Sequence, residues 1–221
     1  VMGIDVAVID CDDPQHSIAG LRDKETALIE KNDSLKSVAY EHFRKSGRKG
    51  FPIVRSNAVQ ALDDADSLLS EKGYRPEIVF FDLPGTLKSD GVIKTLSQMD
   101  YIFTPVSADR FVVESALQFV MMFNDNLVTT GLAKTKDISL FWTMVDGREK
   151  TGLYDLYGKL FAENNFRVLD TRLPDSKRFR REPSDDRKSV FRSTILPPDT
   201  SMLKGSRIRE LSEEICSIIN G

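Results

Sequence analysis

Acidic residues follow two apolar stretches of the sequence at positions where they could bind a charged ligand. Asp10 and Asp12 come directly after residues 6–9, and Asp82 ends the apolar run of residues 78–81. Side chains alternate along a strand, so Asp10 and Asp12 are expected on one face. Gly85 lies in the turn after Asp82, at the carboxyl end of a strand, where open α/β sheets bind ligands.

A third apolar run, residues 138–142, is followed by Thr143, Asp146 and Arg148. A single acid at a strand end is usually a helix cap or a turn former. Several acids at one sheet edge repel each other, and this cost falls if a divalent cation or a phosphate–metal complex lies between them. Because Mg²⁺ keeps several waters, such acids often hold it through its hydration shell. An acid that also faces a terminal phosphate can orient the attacking water.

Strand-like and helix-like segments alternate along the chain, which predicts right-handed βαβ units. The expected fold is α/β, with a mostly parallel twisted sheet covered by helices on both faces, in three layers. Residues 78–82 are predicted as the central strand, buried on both faces. The helix after Ser56 or Asn57 is predicted to pack Val59 in the core, and the helix over residues 113–128 to pack Met121 there. The predicted strands are residues 6–9, 51–54, 78–82, 101–106, 138–144 and 168–169, and the other predicted helices lie within residues 15–50 and over 92–96, 153–163 and 206–220.

Composition limits the class of protein. The 221 residues favour one large α/β domain, and 40 % apolar with 29 % charged residues allow a sizeable core. A net charge of −3 excludes a globally basic nucleic-acid binder. Cys11 and Cys216 are too few for a disulfide framework. No apolar stretch approaches the roughly 20 residues of a membrane span. We therefore expect a soluble, cytoplasmic protein that does not contact the membrane.

Five segments, in order, resemble the motifs of the ParA-type partition ATPases, most closely those encoded on conjugative mobile elements. The first resembles their Asp-x-Asp-Pro-Gln signature, and the second their Walker B strand. The third resembles the strand end that follows, the fourth the segment lining their adenine pocket, and the fifth their proline-led loop. These segments are residues 6–17, 78–86, 104–109, 143–148 and 173–184.

The resemblance implies a role for each matching residue. Asp12 orients the attacking water, Asp10 supports the metal site, and Asp82 holds a water bound to Mg²⁺. Gly85 offers its N–H near the terminal phosphate. Asp13 is an extra acid before the proline, so either Asp12 or Asp13 matches the family's acid, and strand parity with Asp10 favours Asp12. The residues implied at the border of the base are Thr143, Met144, Arg148 and Pro174. Ordinary strand packing remains the alternative for Thr143 and Met144, and a surface charge for Arg148.

The resemblance also implies a function and a departure from the family. Such proteins bind ATP and Mg²⁺, form homodimers in the ATP state and hydrolyse ATP slowly. They bind non-specific DNA and an activating ParB-like partner during partition or maintenance of DNA. The family's Lys-Gly-Gly-x-Gly-Lys-Thr/Ser phosphate-binding loop is not among these residues. We expect residues 1–221 to form a single nucleotide-switch domain whose first strand, loop and helix precede Val1.

A basic segment, residues 172–192, is a candidate DNA-binding surface. It holds eight Lys or Arg residues against four acids, with Phe179 and Phe191 between them. Contact with DNA phosphates is one interpretation and a solvated loop is the other. The residues singled out for DNA contact are Lys177, Arg178, Arg180 and Arg181.

Two other functions stay open. A receiver-like phospho-acceptor domain also groups acids at a sheet edge with a later threonine, which Asp12 or Asp13, Asp82 and Thr104 superficially match. The 82 − 12 = 70 residues between the acids suit that interpretation badly. The other alternative is a non-catalytic binding module that lacks a phosphate-binding loop.

Overall fold

Strands and helices alternate along the chain in the computed structural model, which describes residues 2–71, 73–87, 89–148, 152–184 and 190–221. The strands are β1 (Val6–Asp10), β2 (Ile53–Arg55), β3 (Ile78–Asp82), β4 (Tyr101–Val106), β5 (Asp137–Trp142) and β6 (Arg167–Val168). The helices are α1 (Ser17–Lys31), α2 (Asp33–Ser46), α3 (Ala61–Ser70), α4 (Val92–Leu96), α5 (Arg110–Phe123), α6 (Leu153–Glu163), α7 (Thr200–Leu203) and α8 (Ile208–Asn220). None of the helices built from these residues is long and apolar enough to cross a membrane.

The described strands pair in parallel as two three-stranded sheets, β2-β1-β3 and β4-β5-β6. The predicted α/β class with parallel strands is therefore confirmed. The chain divides into two compact units. The first unit comprises residues 1–95 and 179–202, and the second comprises residues 96–178 and 203–221. That residues 1–221 form one domain stays a prediction.

In the first unit the central strand is β1. The prediction that residues 78–82 are central to their sheet and doubly buried is wrong. Among the strands that the structure describes, β3 pairs with β1 on one side alone, and Phe80 is 44 % exposed. A continuous apolar run indicates that a strand is hydrophobic, but it does not indicate which other strands pair with it. The core of this unit forms where Ala7 and Ile9 of β1 pack against Ala61 and Ala65 of α3.

The start of α3 explains a second difference. The Asn57 side chain accepts hydrogen bonds from the N–H groups of Val59 and Gln60, which makes a turn before the helix. Because α3 begins only at Ala61, Val59 lies in that turn and is 56 % exposed. The prediction that Val59 packs in the core is wrong.

In the second unit β5 is central, and Trp142 at its end is buried against α6. Its ring meets Tyr154 edge-on, with ring centroids 5.2 Å apart, and Phe161 packs beside it. Helix α5 ends at Phe123 and continues as a single π-helical turn, Asn124–Val128. Met121, predicted in the core, is 37 % exposed. The buried face of α5 is formed by Val113, Ala116, Val120 and Phe123, and Met121 lies beside this face.

Candidate functional site

Two of the three strand ends predicted to bring acids to one sheet edge lie side by side in the first unit, whereas Asp146, which follows the third strand, belongs to the second unit. In the β1–β3 ladder Asp10 is the direct partner of Asp82, so both strands end at the same level. The N–H of Cys11 donates to the Asp82 carbonyl at 2.8 Å, which extends the pairing one residue further. Asp12 follows within the same turn, and its carboxylate lies close enough to Asp82 to affect its ionisation.

The environment of Asp82 shifts the pKa of its carboxyl group. Partial burial raises its pKa, and the negative charges of Asp10 and Asp12 raise it further. Among the residues that the structure describes, no hydrogen bond or ion pair offsets the charge on the Asp82 or Asp12 carboxylate. Such a carboxylate gains from a cation or another hydrogen-bond donor nearby.

The donor set fits an indirectly held Mg²⁺ better than a closed metal cage. No group of three or more His, Cys, Asp or Glu side chains within the described ranges is arranged to hold a metal ion. Mg²⁺ is typically bound through one or two carboxylates plus waters and phosphate oxygens. Asp82 and Asp12 supply this number of carboxylates. Their assignment to a metal site and a catalytic site stays a prediction.

Asp10 has a structural task of its own. It is fully buried, and its Oδ2 accepts hydrogen bonds from the backbone N–H groups of Ile18 at 3.1 Å and Ala19 at 2.8 Å. It therefore caps the first turn of α1, where backbone donors have no partner within the helix. Its Oδ1 is buried without a hydrogen bond from the described residues. The proposed role in supporting the metal site would use this second oxygen.

Two residues near Asp10, Ser56 and Asp64, had no role assigned to them in the site. Ser56 donates its backbone N–H to the Asp10 carbonyl at 2.9 Å, and its hydroxyl donates to Asp64 Oδ2 at 2.6 Å. Asp64 lies on α3, and its charge reaches the end of β1. Burial, followed by the charges of Asp10, Asp82 and Asp64, raises the pKa of the Cys11 thiol to about 12. Cys11 is thus a protonated core residue and is no nucleophile.

His16 is the third residue without an assigned role. Its ring lies between the Asp10 carbonyl oxygen, 3.1 Å from Nδ1, and Asp13 Oδ1, 3.3 Å from Nε2. As one of only two histidines, it gave no metal-binding pattern in the sequence. The spacing of three residues between Asp13 and His16 was the available signal, because a turn brings such positions together.

Gly85 lies in the exposed turn that follows Asp82. A Cβ added there would meet no described atom within 4 Å, and the backbone does not adopt a positive φ at this residue. Neither packing nor backbone conformation therefore requires a glycine. Close approach of a ligand to the backbone is the remaining physical reason for one. That its N–H meets a phosphate stays a prediction.

Three of the four residues assigned to the base lie together in the second unit. Val145 forms a bridge to Pro174, and its N–H donates to the Leu173 carbonyl at 3.0 Å. Thr143 and Met144 therefore precede a segment that is paired with the proline-led loop. Thr143 Oγ1 donates to the Val106 carbonyl at 3.3 Å, in keeping with the packing alternative. Met144 has a φ of 55°, and 58 % of it is exposed.

Arg148 is held by its own neighbour. Its backbone N–H and its Nε donate to Asp146 Oδ1 at 2.9 and 3.0 Å, and Nη2 donates to Oδ2 at 2.9 Å. These hydrogen bonds from Arg148 lower the pKa of Asp146 to about 2. The Arg148 side chain is 92 % exposed, as the surface-charge alternative expects.

The four residues assigned to DNA binding differ in their exposure and in whether other residues of the chain hold them. Lys177 and Arg180 are exposed, at the two ends of a 3-10 turn. Arg178 Nη1 donates to the Lys204 carbonyl at 2.6 Å within the second unit, so Arg178 helps to hold the structure there. The exposed Arg181 accepts hydrogen bonds at its carbonyl oxygen from the N–H groups of residues 191 and 192. Arg187 and Lys188, from the same basic segment, lie outside the described residues.

Comparison with solved structures identifies the fold. A structure named "Partition Protein" matches with a TM-score of 0.52 over 98 % of this chain, at 14 % sequence identity. This chain has a partition-protein-like fold. It spans 64 % of the length of that structure. No protein-family model matches the sequence, and no curated protein matches it either. At this identity the likeness establishes the partition-protein-like fold alone, and the residues of the site must carry the argument for function.

Proposed function

We propose that this protein is a ParA-type ATP-dependent switch that acts in partition or maintenance of DNA, as on a conjugative mobile element. It binds ATP with Mg²⁺, dimerises in the ATP state and hydrolyses ATP slowly. In that state it binds non-specific DNA and an activating ParB-like protein in the cytoplasm. The observation that carries this proposal is the pair of uncompensated carboxylates of Asp82, at the end of β3, and Asp12, two residues beyond the aligned end of β1, in a partition-protein-like fold.

In this proposal each site residue of the first unit has a separate role. Asp82 holds a water of the Mg²⁺ ion, which when bound neutralises charge on the phosphates. Asp12 accepts a hydrogen bond from the attacking water and fixes its direction. Asp10 anchors the start of α1 through Oδ2, so the turn that carries Asp12 has a rigid base. The Gly85 backbone allows close approach of the terminal phosphate.

The proposal is tested by separating ATP binding from hydrolysis in the full-length product of the gene. Asp12→Ala should bind a fluorescent ATP analogue with unchanged affinity while kcat falls about 10²-fold or more, the usual size of a general-base effect. Asp63→Ala, which removes an exposed acid from α3, is the matched control and should leave both values unchanged. Hydrolysis by Asp12→Ala at the rate of the unchanged protein would refute the role of Asp12.

The proposed function also predicts that ATP makes the protein dimerise. Light scattering of the full-length protein should give the mass of a monomer without nucleotide and of a dimer with ATP and Mg²⁺. A mass that does not respond to ATP under conditions where ATP binds would contradict the switch.

The receiver-like alternative rests on the same two acids, because Asp12 and Asp82 also resemble the acidic cluster of a phospho-acceptor site. Incubation with a small phosphodonor and Mg²⁺, followed by intact-mass measurement, distinguishes the two functions. A stable gain of one phosphoryl group that is lost in Asp82→Asn favours the alternative. An unchanged mass favours the ATP-dependent switch.

A further inference from the structure

We propose that His16 is a positioning residue of this site. Its ring holds the Asp13 carboxylate beside the start of α1, which leaves Asp12 as the acid that faces Asp82. The catalytic part of this inference rests on the proposed function. The contact between His16 and Asp13 can be measured without it.

The backbone of His16 is the first observation. Its φ of 41° and ψ of 56° place it in the left-handed region, which glycine and asparagine adopt more readily than histidine. Its N–H donates to the Asp12 carbonyl and its carbonyl accepts from the Gly20 N–H, both at 2.8 Å. His16 thus closes the turn that carries both acids and begins α1. Since glycine would make this turn at lower cost, the ring is expected to contribute something more.

The ring contacts are the second observation. Nδ1 lies 3.1 Å from the Asp10 carbonyl oxygen, and Nε2 lies 3.3 Å from Asp13 Oδ1. The His16 side chain is only 18 % exposed, whereas that of Asp13 is 60 % exposed. The imidazole therefore connects the end of β1, through the Asp10 backbone, with the more exposed of the two adjacent acids. Both partners of the ring belong to the first unit.

The contrast between the two acids is the third observation. Asp13 contacts His16, whereas no described residue pairs with the carboxylate of Asp12. The charge of Asp12 contributes to the raised pKa of Asp82, whereas the contact that the structure gives the Asp13 carboxylate is with His16. The contact with His16 thus gives Asp13, the extra acid of the motif, a structural role. In this proposal His16 engages Asp13, one of the two adjacent carboxylates between which the spacing of the motif leaves the choice open.

The decisive variant is His16→Asn. Asparagine accepts the left-handed backbone, and its side-chain amide can replace Nδ1 as a donor to the Asp10 carbonyl. It is too short to reach Asp13 from the same position. The substitution therefore removes one contact and keeps the turn. Asp13→Asn and the double variant complete the cycle, and His42→Asn on α2 is the control for loss of a histidine elsewhere.

The first measurement is amide hydrogen exchange of residues 12–16 in the 221-residue chain, without nucleotide. His16→Asn and Asp13→Asn should each speed exchange by roughly threefold, the size expected for loss of one partly exposed polar contact. The double variant should be no faster than either single variant, because all three lack the same contact. The contact would be disproved if the increases in exchange rate of the two single variants multiplied in the double variant. Exchange in the single variants at the rates of the unchanged chain would also disprove it.

The second measurement is ATP hydrolysis by the full-length protein. His16→Asn and Asp13→Asn should lower kcat by about three- to tenfold with an unchanged KM, because Asp12 is less well placed while binding is retained. Asp12→Asn should abolish turnover. Turnover of His16→Asn at the unchanged rate, or loss of turnover in Asp13→Asn but not in Asp12→Asn, would overturn the positioning role.

The two measurements separate the two proposals. If the unchanged full-length protein hydrolyses no ATP, the proposed function and the catalytic reading of Asp12 both fail. Hydrogen exchange then still decides whether His16 holds Asp13. If hydrolysis is found but the exchange cycle shows no coupling, the proposed function stands and the role of His16 is overturned.

Discussion

The two oxygens of the Asp10 carboxylate have different surroundings. Oδ2 accepts two backbone hydrogen bonds from the first turn of α1, while Oδ1 is buried without a described hydrogen bond. A buried acceptor without a partner costs free energy, so the chain keeps it only where the geometry has another use. One residue thus caps a helix through Oδ2, while its Oδ1 lies buried 3.8 Å from Nδ1 of His16.

Asp10→Ala should lower the free energy of unfolding by about 1–3 kcal/mol, because two donors of α1 lose their acceptor in a buried place. Asp10→Asn should cost less, since its amide oxygen can still accept. Urea denaturation of the chain measures both. The exposed Asp66→Ala on α3 is the control and should change stability by less than about 0.5 kcal/mol. Stability of Asp10→Ala equal to that of this control would show that the cap is not needed.

Asp82 makes the stability of the fold depend on pH in a defined direction. Its pKa is raised by burial and by Asp10 and Asp12, so the folded protein holds this proton more tightly than the unfolded chain does. Stability therefore falls as pH rises from the ordinary value of 3.8 through the raised pKa. Above that window the ionised carboxylate remains a cost.

Asp82→Asn should remove this dependence, because the amide does not ionise. Denaturant unfolding between pH 3 and pH 7 measures the difference between variant and unchanged protein, which should increase with pH and then level off in favour of the variant. Added Mg²⁺ should reduce the difference at neutral pH if the carboxylate contributes to binding it. A difference that stays constant over the whole range would contradict the electrostatic description.

At the scale of an element, α1 is attached at two places. Asp10 caps its start, and Glu25 in its middle accepts hydrogen bonds from the backbone N–H and the hydroxyl of Thr194. Arg22 donates to the same threonine through Nε at 2.8 Å and through Nη2 at 3.1 Å. Glu25 is only 2 % exposed. The cluster ties the returning segment around Thr194 to α1 within the first unit.

Glu25→Ala should lower the free energy of unfolding by about 2–4 kcal/mol, since it leaves the donors of Thr194 without their buried acceptor. Glu30→Ala, at the exposed end of the same helix, should change it by less than about 0.5 kcal/mol. Urea denaturation gives both values, and limited proteolysis should cut Glu25→Ala faster around residues 190–199. Equal effects of the two substitutions would mean that the Glu25 cluster does not anchor this segment.

Elements were predictable from the sequence where a local pattern determines them. The apolar run that forms β1 and the alternation of strands with helices depend on nearby residues, and both were confirmed. The position of β3 at one side of its sheet depends on which strands lie beside it, and no local pattern reports this. The contacts of His16 required a left-handed turn, and those of Glu25 required a partner 169 residues away. Only coordinates bring such groups together.

At the scale of the whole molecule, charge limits how DNA could be bound. The chain carries a net charge of −3, so binding to a polyanion must rely on a local group of cations. Lys177 and Arg180 are exposed, and no hydrogen bond or ion pair to a described residue engages their charged groups. Arg178 is held by the Lys204 carbonyl, and replacing it would disturb the second unit as well as the charge. Lys177 and Arg180 are therefore the better test of the basic segment.

Lys177→Gln combined with Arg180→Gln should weaken binding of the full-length ATP-bound protein to non-specific duplex DNA. Binding releases fewer counterions for each phosphate contact that is lost, so the magnitude of the slope of log K against log salt should fall by about 1 per residue. The control is Lys24→Gln with Lys159→Gln, which removes two exposed positive charges from α1 and α6 and keeps the same net charge as the test variant. Fluorescence anisotropy across a salt series distinguishes a contact from a general charge effect. If both double variants reduce affinity equally and leave the slope unchanged, the 3-10 turn is ordinary solvated surface, because only a removed phosphate contact changes the number of counterions released.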